Sequence, residues 1–215
     1  MQWQGAWSGR CAEEHAGPPL DRYHALVPTH PDRLYFTEDD QANALLASDP
    51  MALLIGFLLD QQVSVLKAFG GPLELKRRIG SLDARHIADM DPAALDAAFR
   101  ERPALHRFPG SMAGKAHELA VAIVERYDGD PTRIWNQAAD GADLERRLRA
   151  LPGIGEMKAS SLVGILGRRF GVQPPGWEAA SKRHPTLADV DSLESLGRYR
   201  EAKAAIKAQQ RGQAD

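Results

Sequence analysis

The sequence predicts an all-α fold of roughly ten helices, on three observations. Apolar residues recur at three- and four-residue steps through most of the chain after Leu34, most plainly at Ala116, Leu119, Ala120, Ile123, Val124 and Tyr127. Two Asp-Pro pairs, Asp49-Pro50 and Asp91-Pro92, read as helix starts, with Asp as cap and Pro in the first turn. No stretch alternates apolar and polar residues as a half-buried strand would.

The elements follow in order. Residues 1–33 have no helical period, carry Trp3, Trp7 and scattered Gly and Pro, and read as a loosely ordered segment. A natural start at Val27 or Leu34 is an alternative expectation for this segment, which the intact mass of the native protein decides. Asp39 to Ala47 reads as a short helix. Met51 to Leu59 is apolar on every face, so it is expected at the centre of the core, ending in the abrupt polar tip Asp60-Gln61-Gln62. Ser64 to Phe69 continues as a turn of helix stopped by Gly70-Gly71-Pro72, and Leu73 to Ile79 is short and basic on one side. Ser81–Met90 and Asp91–Arg100 are short helices, and the stretch 103–111, with His106 and Arg107, is a loop. Met112–Tyr127 is strongly amphipathic, Thr132–Ala139 carries Trp135, and Asp143–Leu151 and Glu156–Phe170 flank a turn. A short helix follows at 178–182, and a final helix capped by Asp191 or Ser192 runs to about Gln210, with a basic end expected to be a solvated face.

Composition narrows the function classes. The 215 residues carry a formal net charge of −2, so a nucleic-acid surface would have to be a local patch. One cysteine, Cys11, excludes an internal disulfide and an all-cysteine zinc or iron–sulfur site, and fits a reducing cytoplasm. The apolar run Met51–Leu59 is too short to span a bilayer, which needs about 20 residues, and the start of the chain lacks a signal-peptide pattern, so a cytoplasmic protein without membrane contact is expected.

The turn Leu151-Pro152-Gly153-Ile154-Gly155 joins two amphipathic patterns. Pro and two Gly cannot continue a helix but make a tight turn. Such a turn leaves the first N–H groups of the second helix pointing outward at the positive end of its dipole, which suits a phosphate.

The stretches Leu58–Ser64, Phe108–Gly129 and Ala150–Ala159, in this order and spacing, together resemble the helix-hairpin-helix DNA glycosylases of the endonuclease III type, in a divergent subgroup without the iron–sulfur cysteines. Leu58-Leu59-Asp60-Gln61-Gln62-Val63-Ser64 resembles that family's early buried helix, ending in a Gln that enters DNA. Phe108 to Lys115-Ala116 and on to Gly129 resembles the helix leading to the hairpin. Ala150 to Gly155 with Lys158-Ala159 is similar to the hairpin and its continuation.

The resemblance implies a six-helix barrel over 43–165 with its hairpin at 151–155. It implies a second helical lobe from both chain ends, 34–42 and 166–215, and double-stranded DNA, damaged or intact, across the cleft between lobes. It implies a monomer that flips a damaged base and cuts its glycosidic bond in base-excision repair. It also implies a monovalent cation on hairpin carbonyls, here those of Leu151 and Gly153, and no other cofactor.

The chain departs from the pattern at two places. An ungapped alignment puts Met157 where bifunctional members carry a nucleophilic Lys, and Lys158 lies one residue on, rotated about 100° on a helix. The loop 172–177, where the family carries a catalytic Asp, holds no acid; Glu178 is nearest, followed by Asp189 and Asp191. The candidate catalytic residues are therefore Glu178, Asp60 and Lys158. The candidate DNA contacts are Gln62, Arg107, Lys115, Gly153, Ile154, Gly155 and Lys158, with Trp135 and Trp177 expected to pack. Three functions compete: a monofunctional DNA glycosylase, a catalytically silent DNA- or lesion-binding relative, and an all-α interaction module without DNA.

Overall fold

The computed structural model describes residues 31–181 and 185–212. The expectation for 1–33 lies outside these residues up to position 30, as does Lys182 of the short helix expected at 178–182. Eleven α-helices are present and no strand among the described residues. They are α1 (Asp40–Ser48), α2 (Pro50–Leu59), α3 (Val65–Ile79), α4 (Ala84–Asp89), α5 (Pro92–Arg100), α6 (Pro109–Tyr127), α7 (Arg133–Asn136), α8 (Gly141–Arg149), α9 (Glu156–Arg169), α10 (Trp177–Ala180) and α11 (Leu193–Gly212).

The helix starts are local chemistry. Asp39 caps α1 through the N–H groups of Gln41 and Ala42, and Asp49 caps α2 through Met51 and Ala52. Asp83 and Asp91 cap α4 and α5 in the same way. Ser192 and Ser195 exchange hydrogen bonds at the start of α11, the Ser192 hydroxyl accepting from Ser195 N–H and the Ser195 hydroxyl accepting from Ser192 N–H.

Every residue of α2 from Met51 to Leu59 is buried, as its all-round apolar character requires. One buried cluster runs from Leu34 through α2, α3, α6 and α9 to Leu196. Asn43 is buried and ties the segment before α1 to that helix: its side-chain oxygen accepts from Phe36 and Thr37 N–H at 3.0 Å.

α3 corrects an expectation. Gly70-Gly71-Pro72 reads as a stop, yet the helix runs unbroken from Val65 to Ile79 with Pro72 inside it. The reason is tertiary. A side-chain carbon at Gly71 would come within 2.5 Å of Leu59 Cδ1, and one at Gly56 within 2.6 Å of Phe69 Cδ1. The glycines let α2 and α3 approach closely, and the packing gained outweighs the backbone hydrogen bond that Pro72 cannot make. The basic face expected on this segment is only partly solvated: the Arg78 side chain is 4% exposed and donates to the carbonyls of Ala98, Glu101 and Pro103. The expected helix at Thr132–Ala139 shrinks to the single turn of α7, and α6 starts at Pro109, inside the stretch read as loop.

Candidate nucleic-acid interface

The site is built where α2 ends. Nothing basic lies in the last turn of α2, so the negative end of its dipole must be met from elsewhere. The Leu58 carbonyl accepts from Gln61 Nε2 at 2.8 Å and from Lys158 Nζ at 3.3 Å. The chain then turns sharply, with Gln62 in the left-handed region at φ 54° and its side chain exposed. A non-glycine residue held there stores strain of a kind that collects at functional tips.

His106 fixes this tip from behind. It is 2% exposed, its Nε2 donates to the Gln61 carbonyl at 2.7 Å, and its Nδ1 accepts from Phe108 N–H at 3.1 Å. One imidazole thus joins the Gln61–Gln62 tip to the loop before α6. That loop presents Phe108, 46% exposed, with the Arg107 guanidinium 4.7 Å above its ring.

The turn between α8 and α9 packs against the same tip. Gly153 has φ 76°, and any side chain there would run into Leu58 Cδ1, so both the turn and the contact with α2 require glycine. The same position faces Lys115 of α6, whose Cδ lies 4.0 Å from where a side-chain carbon would stand. Ile154 is buried beneath the turn, and Gly155 starts α9 with no side-chain cap. Met157 points into solvent, 68% exposed. Lys158 turns inward instead, donating to the Gly153 carbonyl at 3.2 Å as well as to Leu58.

Asp60 completes the cluster. Its side chain is 17% exposed and lies 3.6 Å from Lys203 Nζ of α11. Lys203 in turn sits over the Tyr199 ring at 5.6 Å. Burial lowers the Lys158 pKa to about 8; Asp60 works against that shift, while Lys115 and Lys203 add to it. Burial also opposes the charge on Lys203, but Asp60 and Tyr199 outweigh it and hold that pKa above its ordinary value. Burial raises the Tyr199 pKa. Lys115 and Lys203 both act on Lys158 with Asp60 the carboxylate opposing them, a concentration of ammonium charge that the net charge of the whole chain hides.

Gln62, Arg107, Lys115, Gly153, Ile154, Gly155, Lys158 and Asp60 are therefore drawn to one side of the fold. Glu178 is not. It is exposed on α10, where its neighbour Trp177 is clamped against Gly167 and Gly141. Gly167 lies about 13 Å along α9 from Lys158 at the helical rise per residue. Asp189 is also at that far end, paired with Arg168 at 2.6 Å. Trp135 packs against the core, as expected of it. Sequence reasoning missed His106 as an anchor, Phe108, Tyr199 and Lys203. The spacing of Tyr199 and Lys203, four apart on one helix, was the available signal.

No group of three or more His, Cys, Asp or Glu side chains that could hold a metal converges among the described residues. No single helix among them is long and apolar enough to cross a membrane.

The chain matches no protein-family model, no curated protein and no solved structure. The functional reading therefore rests on the chemistry of this cluster.

Proposed function

We propose that this protein binds double-stranded DNA through the face formed by the Gln62 tip, the Arg107–Phe108 loop and the turn Leu151–Gly155, and that it cleaves the N-glycosidic bond of a damaged base there. The observation that carries the reading is the Lys158–Leu58 contact, which holds the turn against the tip that bears Gln62. A phosphate-gripping turn, an exposed polar side chain in a strained backbone and an exposed aromatic ring lie on one surface, beside a local excess of ammonium charge. In this reading 43–165 is the barrel, and 34–42 with 166–215 forms the lobe across the cleft.

Asp60 is the acid of this proposal. It is the carboxylate next to Gln62 and to the turn, and a carboxylate there stabilises positive charge developing on a sugar or activates a water. In this reading Lys158 acts as a charged donor rather than a nucleophile: two of its three N–H groups are held by the carbonyls of Leu58 and Gly153, which turn the ammonium back into the fold. The test is incubation with duplexes holding uracil, 8-oxoguanine, alkylated or mismatched bases, followed by alkali. Strand breaks that Asp60→Asn abolishes support the reading, and no breaks on any duplex removes the enzyme half of it. Borohydride is expected to trap no adduct on Lys158.

A second reading, a silent lesion binder, is favoured by the Lys203–Asp60 ion pair, which already compensates the carboxylate. It predicts DNA binding without base release.

A further inference from the structure

The family resemblance implies an alkali cation on the carbonyls of Leu151 and Gly153, and the geometry of this chain disagrees with it. The Leu151 carbonyl accepts from Ile154 N–H at 3.1 Å. The Gly153 carbonyl accepts from Lys158 Nζ at 3.2 Å, and the same ammonium reaches the Leu58 carbonyl at 3.3 Å. A metal ion on Gly153 would have to sit beside that ammonium, with Lys115 close by and Asp60 already paired to Lys203. Like charges at such separations repel strongly away from bulk water.

Lys158 has its own reason to be there. It is the third residue of α9, where a positive charge faces the positive end of the helix dipole. Swinging back onto Gly153 and across to the C-terminal end of α2 removes the ammonium from that field and places it in the negative field of α2, whose last turn holds no basic residue. An ammonium has three donors, and two are used, leaving one without a partner among the described residues.

We infer that Lys158 is a built-in cation of this turn: its ammonium, held by the carbonyls of Gly153 and Leu58, does the work of a bound alkali ion, so the grip on a DNA phosphate needs none. The consequence for DNA rests on the proposed function; the consequence for the cation does not. It also explains why a lysine one position past the family's nucleophile belongs in this sequence without Schiff-base chemistry.

The experiment has a protein-only arm and a DNA arm. In the first, thallium(I), a stand-in for potassium that NMR detects, is titrated into the wild-type chain and into Lys158→Met. No bound signal with wild type and a bound signal with Lys158→Met are expected; thallium(I) bound at the turn of the wild type overturns the inference. In the second, duplex affinity is measured in potassium chloride and in tetramethylammonium chloride at equal ionic strength. Wild-type affinity is expected to agree within about twofold, while Lys158→Met loses about tenfold in tetramethylammonium and recovers in potassium, as for the loss of one phosphate-side charge. Wild-type binding that depends on potassium, or a variant that potassium does not rescue, overturns it. Absence of DNA binding in every salt sinks the proposed function instead, and the thallium arm still decides the inference. If Lys158→Met does not fold, the two wild-type measurements remain decisive.

Discussion

The ammonium of Lys158 donates to the Leu58 carbonyl at 3.3 Å, joining positions 100 apart in sequence and closing the turn Leu151–Gly155 onto the end of α2. Burial at this junction lowers the pKa of the lysine to about 8. Residue-resolved NMR of lysine Cε is expected to show Lys158 titrating near pH 8, while solvent-facing lysines titrate near about 10.4. Asp60 pushes this pKa upward, so Asp60→Asn should move the midpoint lower still. Between the two pKa values the unfolded chain holds more proton than the folded one, so this residue makes the fold more stable as pH rises through that window. A midpoint in the ordinary lysine range would mean that Lys158 is not held at the junction.

Gly153 is the second half of that junction. Gly153→Ala must place a side chain in the left-handed region and against Leu58 Cδ1. Strain and overpacking together are expected to destabilise the fold by about 2–4 kcal/mol, read as a lower urea midpoint with unchanged slope. A loss under about 0.5 kcal/mol would match an ordinary surface change and contradict the packing described.

Much of the frame was legible in the sequence, and the site was legible only in part. The caps at Asp49 and Asp91 and the burial of Met51–Leu59 are local signals that need no partner. The continuity of α3 through Gly70-Gly71-Pro72 was not, because what favours it is the space for Leu59 and Phe69 from a neighbouring helix. The tip at Gln62 and the turn at Gly153 could be read locally. His106 could not, since its partner is the carbonyl of Gln61, 45 residues away. Lys203 reads as one more charge on a solvated helix, and only the fold brings it to Asp60. Glu178 is the acid nearest in sequence to the loop 172–177, but α9 lies between it and the turn, and the acid beside Gln62 is Asp60, the residue that ends α2.

The two carboxylates therefore have opposite expectations. If base release is found, Asp60→Asn should lower its rate by about 100-fold or more, the scale of a lost catalytic carboxylate. Glu178→Gln should leave it within about twofold, as a surface change away from the reacting atoms. Single-turnover release of the base from a lesion-bearing duplex reads both, and equal losses for the two variants would remove Asp60 from its assigned role.

His106 ties the tip to the Arg107–Phe108 loop, so His106→Ala leaves the Gln61 carbonyl and Phe108 N–H without it. The expected loss is about 1–3 kcal/mol of stability, with weaker duplex binding because Gln62 and Phe108 no longer share an anchor. Hydrogen exchange at Phe108 N–H should rise in the variant. Unchanged protection there would show that the loop is held by something else.

The most direct measurement is duplex binding to the wild-type chain at about 50 and 200 mM salt. Neutralising about three phosphates should weaken affinity by roughly 40-fold between the two concentrations, and replacing Arg107 or Lys115 by Met should each reduce the salt slope by about one phosphate. Binding that is absent, or that does not change with salt, would contradict a nucleic-acid interface at the Leu58–Gly153 junction.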